Sequence, residues 1–136
     1  MGTVYAEITL KNAGDVVNSR TVIIKEQDIR HTTVKAMADT GAITLVIYDE
    51  LRRQLGLEVL GERQVTLANN VKEIVHVAAP VEVQWKDRKM TCQPLVVSGK
   101  GEVLLGAIPL EDMDLMVDPV HQEVTGIHGD KILSRI

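Results

Sequence analysis

Asp39-Thr40-Gly41-Ala42 is the stretch whose residue types and order fit a definite chemistry. A carboxylate on a turn can take a proton from water, but breaking a peptide bond also needs an acid for the carbonyl oxygen. Two carboxylates within hydrogen-bond reach supply both, because like charges so close cannot both ionise and one proton is shared. Their apparent pKa values then belong to the pair. Thr40 can hydrogen-bond across to a second such loop and lock the geometry. Gly41 lets the backbone approach and offers its N–H to a carboxylate, and Ala42 keeps the floor of a cleft small. No second Asp-(Thr/Ser)-Gly occurs; Val117-Asp118-Pro119 and Gly129-Asp130-Lys131 lack the pattern. One chain thus carries half of such a site, and a second copy is expected to supply the other. Taken alone, Asp39 also reads as a turn aspartate with Thr40 as a local hydrogen-bonder.

Other reactive residue types point elsewhere. Cys92 is the only cysteine, so no internal disulfide can form, and a cytoplasmic setting is the simpler expectation. In an alternating strand it reads as a small buried hydrophobe rather than a nucleophile served by His76 or His121. The histidines, His31, His76, His121 and His128, lack a metal-ligand spacing, and surface or loop roles are expected. Gly99-Lys100-Gly101 lacks the frame of a phosphate loop and reads as a hairpin turn. Glu111, Asp112 and Asp114 read as a solvated helix face. No metal or organic cofactor is called for.

The elements that must position Asp39 follow from periodicity. Residues 3–10 read as a strand and Lys11 to Asp15 as a turn. Residues 16–30 are ambiguous, with Val22-Ile23-Ile24 as a strand or Lys25 to Asp28 as the start of a short helix. Thr33 to Ala38 reads as a strand entering Asp39, and Ile43 to Ile47 as one leaving it. Ile47, Leu51 and Leu55 are spaced by four, with Asp49 and Glu50 ahead and Gly56 behind, so a short helix is expected. Gln64 to Ala68 and Val71 to Val77 flank Asn69-Asn70, a hairpin tip, since Asn tolerates left-handed backbone. Val81 to Trp85, Lys89 to Val97 and Glu102 to Leu105 read as strands, and Pro109 to Val117 as a second helix between two prolines. Glu123 to Ile127 is one more candidate strand.

These residues reach a known family. Ala38 to Ala42, together with Val103-Leu104-Leu105-Gly106, resembles the two signatures of retropepsin-like aspartic proteases, and more closely their small single-domain bacterial relatives of clan AA. The resemblance covers roughly residues 32–120. It implies a mostly β, retropepsin-like acid-protease fold: a closed β-barrel-like domain with two short helices, working as a homodimer. It implies that Leu104, Leu105 and Gly106 pass beside Asp39, and that Ala68, Asn69, Asn70 and Val71 form the flap over the substrate. The chain departs from retroviral members at Ile43 and Thr44, where they carry an acidic residue, and at Ala107, where they often carry Arg. Their flaps are also richer in glycine.

The implied activity is that of an aspartic endopeptidase acting on polypeptides. The alternative is a catalytically inactive dimeric module of the same fold that binds peptides or a protein. A further possibility is a protease blocked until residues 1–30 are removed. One unit is expected over 1–136, with 1–31 as N-terminal strand and variable segment and 121–136 as C-terminal tail.

Bulk properties agree. The 136 residues are 45% hydrophobic and 25% charged, ordinary for a folded soluble chain. Phe is absent and aromatics are 2%, so the core must be aliphatic, which suits strands. A net charge of −4 with no basic, aromatic-interleaved stretch argues against nucleic acid as a partner. No apolar run is long enough to span a membrane. The first residues have no basic segment followed by an apolar one, so no secretory signal is expected. Met1-Gly2 lacks the Ser or Thr that a myristoylation motif wants at position 6, which is Ala.

Overall fold

A computed structural model of the chain describes residues 3–136; the Met1-Gly2 start lies outside the described residues. Alternation builds the first strand. In β1 (Tyr5–Asn12), Ala6, Ile8 and Leu10 turn inward while Tyr5, Glu7 and Thr9 face out. It pairs antiparallel with β2 (His31–Ala38), which leads to Asp39.

The connection is not the turn expected at Lys11 to Asp15. β1 runs through Asn12, whose side chain accepts the Asp15 N–H at 3.0 Å and caps α1 (Ala13–Arg20). Asp15 is buried and takes a bidentate pair from Arg30 at 2.8 and 2.9 Å, which closes the α1 excursion. Val22 to Ile24 form no strand, and Glu26–Asp28 make a single 3-10 turn.

Beyond Asp39, β3 (Leu45–Tyr48) begins two residues later than the apolar run suggested. α2 (Asp49–Leu55) is the expected helix. Asp49 in its first turn pairs with Arg52 and Arg53 at 2.7 and 2.8 Å, and Gly56 ends it in left-handed backbone at φ 66°. β4 (Val59–Thr66) and β5 (Lys72–Ala78) form the expected hairpin, followed by β6 (Val81–Trp85) and β7 (Arg88–Cys92). The strand expected over Lys89 to Val97 breaks at Gln93-Pro94, where proline cannot donate to a ladder, and resumes as β8 (Leu95–Val97). β9 is only Leu104–Leu105.

The helix expected over Pro109 to Val117 is shorter and starts earlier: α3 is Ala107–Asp112. Asp114 takes a positive φ of 55°, which ends the helix, and β10 (Leu115–Asp118) then pairs with β11 (Glu123–Gly126). Leu110, Met113 and Leu115 are all buried, so burial in two successive elements mimicked one helical period. Asp114 is accordingly not on a solvated face. It is 5% exposed and accepts hydrogen bonds from His128 Nδ1 at 2.8 Å and from the Leu133 N–H at 3.1 Å. The described residues hold three short α-helices rather than two.

Nine strands form one sheet in the order β4-β5-β8-β3-β9-β2-β1-β6-β7, with β10-β11 as a separate pair. The ladder does not close on itself; β4 and β7 are its edges, and the sheet curls as an open half-barrel around an aliphatic core of Ile8, Leu10, Leu45, Ile47, Leu55 and Leu105. The fold is mostly β. β1 lies inside the sheet between β2 and β6, so within the 1–30 segment Tyr5–Asn12 is an integral strand of the sheet.

Candidate active site

β2 delivers Asp39 and β9 fixes it. β9 lies between β2 and β3, parallel to the first and antiparallel to the second. It therefore runs inside the loop 39–44 that joins them. The Asp39 N–H donates to Leu105 O at 3.0 Å, and the Ala38 N–H donates to Val4 O at 2.9 Å. Ala42 N–H closes the turn on Asp39 O at 3.1 Å. On the far side, the N–H groups of Gly106, Ala107 and Ile108 donate to Thr44 O, Ala42 O and Ile43 O at 3.1, 2.8 and 3.0 Å.

This lacing explains the glycines. A Cβ on Gly106 would run into the Ala42 and Thr44 backbone, within 2.6 Å of Ala42 O. The Gly41 N–H donates to Asp39 Oδ1 at 2.9 Å, and a Cβ there would come within 3.1 Å of the same oxygen. Asp39 and Ala42 are half-buried, while Thr40 and Gly41 are exposed. Asp39 is thus a carboxylate held from below by backbone and open above.

The structure brings Asp39, Thr40, Gly41 and Ala42 together with Leu104, Leu105 and Gly106. In the sheet β8, β3 and β9 separate β5 from β2, so the flap hairpin shares no ladder bonds with the Asp39 loop. The tip is well formed. Leu67 N–H donates to Val71 O at 2.8 Å, Val71 N–H to Asn69 Oδ1 at 3.0 Å, and Asn70 takes φ 66°. Only the hairpin's base joins the sheet, through His76 and Val77 on β8, and its tip is exposed.

Residues that pattern reading overlooked are the Ala107 and Ile108 amides, which brace the loop where a side chain had been sought. They carry no side-chain signal. Cys92 behaves as expected: burial pushes its thiol up to about 11, so it is a poor nucleophile. Asp118, His121 and Glu123 bring one ligand-type atom each within 4.8 Å, which spacing had not suggested. They are exposed or half-exposed, and Asp118 already pairs with His121 at 2.7 Å, raising the imidazole pKa and lowering the carboxylate's. Three concavities, of about 270, 380 and 680 Å³, are lined by other residues than Asp39. Among the described residues no helix is long and apolar enough to cross a membrane.

Comparison with solved structures finds a similar fold in the retroviral protease-like domain of Ddi1 from Leishmania major. The TM-score is 0.58 at 16% identity, over 97% of this chain and 91% of that one. At such identity the likeness concerns the fold alone. No curated protein matches the chain. The family described as "gag-polyprotein putative aspartyl protease" matches residues 12–127, most of the sequence and all of the loop just described. By that match, the chain belongs to the gag-polyprotein aspartyl protease family.

Proposed function

We propose that the protein is an aspartic endopeptidase, in which an Asp39 pair, one from each of two protomers, activates the water that attacks a peptide bond. The observation that carries this reading is the half-site itself: an aspartate whose backbone N–H is tied to Leu105 O and whose carboxylate accepts the Gly41 N–H, half-buried and open on one side. A twofold axis through that opening sets Asp39 against its copy, and exposed Thr40 can bond to the partner loop. Ile43 and Ile108, 64% and 48% exposed and linked by a backbone bond, rim the loop with apolar surface suited to such a contact.

In the pair, one carboxylate takes a proton from water as the oxygen attacks the carbonyl carbon. The other, protonated, gives its proton to the carbonyl oxygen. The tetrahedral gem-diol then collapses: one of its hydroxyls returns a proton to the pair as the new C=O forms. The C–N bond breaks and the amine leaves with a proton from the pair, so the dyad ends with its single shared proton. The Ala68–Val71 flaps of both protomers close over the peptide and exclude bulk water. The Ala107 and Ile108 amides do the bracing that an arginine performs in retroviral members. The whole chain works as one unit, and the lone cysteine suits a cytoplasmic setting.

The test is Asp39→Asn. The purified wild-type dimer cleaves unfolded polypeptide, best below neutral pH where the pair holds one proton. The variant loses cleavage by about a thousandfold or more while its circular dichroism and dimer mass stay unchanged. Equal cleavage by the variant overturns the reading. Binding of unfolded polypeptide by the wild type without any cleavage turns it toward the inactive binding module.

A further inference from the structure

The sheet register sets an acidic group on the outer face of the strand that delivers Asp39. Along β2, Ala36 is buried and Met37 turns to the opposite, outer face. Tyr5 of β1 and Leu104 of β9 stand in register with Met37 on either side. Asp39 follows Met37 by two residues, about 7 Å along the strand. The row Tyr5, Met37, Leu104 is therefore the ground beside the candidate catalytic carboxylate.

Glu102 lies two residues before Leu104 and is exposed. Its Oε1 accepts a hydrogen bond from the Tyr5 hydroxyl at 2.6 Å. Tyr5 is on β1 and Glu102 leads into β9, with β2 between them, so the bond passes over the outer face of β2 between the Met37 and Lys35 levels. Glu102 holds the Tyr5 hydroxyl above its ordinary pKa, so Tyr5 stays a donor. Lys35 stands opposite Glu7 in the β1–β2 register and level with Glu102 on its other side, and Lys100 lies 3.6 Å from Glu50. Among the described residues no cation pairs with Glu102.

We propose that Glu102, positioned by Tyr5, forms an acidic subsite on the outer face of the strand leading to Asp39, one that selects a substrate residue with an apolar stem and a cationic head, lysine or arginine. The methylenes of such a side chain lie on Met37 and Leu104, and its charge meets the carboxylate oxygen that Tyr5 leaves open. Tyr5 is a positioning residue here. The inference rests on the proteolytic cleft proposed above.

The experiment uses the full-length protein and peptides that differ at one position, walked through the sequence, carrying lysine, norleucine or glutamate. Norleucine has a similar stem without the ammonium. At one position wild type is expected to favour lysine over norleucine about two- to fivefold in kcat/KM at low salt, and to disfavour glutamate. Added salt erodes the preference. Glu102→Gln brings the lysine-to-norleucine ratio to one, and Tyr5→Phe lowers it partway. A wild-type ratio of one at every position, or a ratio that survives Glu102→Gln, overturns the subsite while cleavage itself upholds the protease reading. If wild type cleaves none of the peptides, the protease reading fails. The same ratios, read as dissociation constants on wild type and Asp39→Asn, then decide the subsite separately. Binding that does not distinguish the peptides overturns it.

Discussion

Gly106 takes ordinary backbone, φ −85°, yet no other residue fits, because the space a side chain would enter is filled by the Ala42 and Thr44 backbone. The obstacle is main chain on both sides, which cannot swing away as a flexible side chain would. Gly106→Ala should therefore push the 39–44 loop off β9 and cost about 3 kcal/mol in urea unfolding. It should also weaken cleavage beyond the loss of stability, since the same shift breaks the bonds from Ala107 and Ile108 to the loop. Gly61 on β4 is the control: a Cβ there meets nothing within 4 Å, so Gly61→Ala should leave stability unchanged or raise it by about half a kcal/mol. The need for Gly41 could be read from its place after Asp39. The reason for Gly106 lies in a crossing of two segments distant in sequence.

At the scale of elements, β1 decides whether the N-terminal segment can be spared. It exchanges ladder bonds with β2 on one side and β6 on the other, and Ile8 and Leu10 are buried in the main core. Leu10→Ala should cost about 2–5 kcal/mol by leaving a cavity. Deleting residues 1–30 should abolish the cooperative unfolding transition rather than unmask activity, as followed by circular dichroism; a folded, more active truncated form would contradict this. The elements that could be read beforehand were those with a clean period. These were β1, β2, α2 with Asp49 ahead and Gly56 behind, and the β4–β5 hairpin turning at Asn69-Asn70. Others failed for physical reasons. Asn12-Ala13-Gly14-Asp15 has turn composition, but the side-chain oxygen of Asn12 that would fold a turn instead caps a helix. Past α3, the positive φ of Asp114 depends on tertiary bonds to His128 and Leu133, which no local pattern announces. The candidate loop could be singled out because its chemistry would be concentrated in three adjacent residues, whereas its bracing amides are anonymous backbone.

On the proposed mechanism, the whole molecule has to be stable at the pH where a half-protonated carboxylate pair would work. Asp15, Asp49, Asp114 and Asp118 are all held below the usual carboxylate range, chiefly by hydrogen bonds from Arg30, Arg52, His128 and His121 respectively. A lowered folded-state pKa contributes stability that is present above the unfolded value of 3.8 and is lost as pH falls through the lower folded value. His121 is shifted up, so its contribution is present below 6.5 and is lost as pH rises through its folded value. The urea midpoint should thus change little between about pH 5 and 6.5 and fall steeply below about 4, and Asp114→Asn should flatten part of that fall. Within this window the proposed mechanism also requires a second chain. If each chain holds half a site, an excess of Asp39→Asn protomers must trap wild-type chains in mixed dimers with only one aspartate at the axis. Preincubating wild type with a ninefold excess of the variant, above the dimer dissociation constant, should leave about one tenth of the cleavage rate, because only that share of wild-type chains meets another. A site complete within one chain would cleave at the undiminished rate in the same mixture.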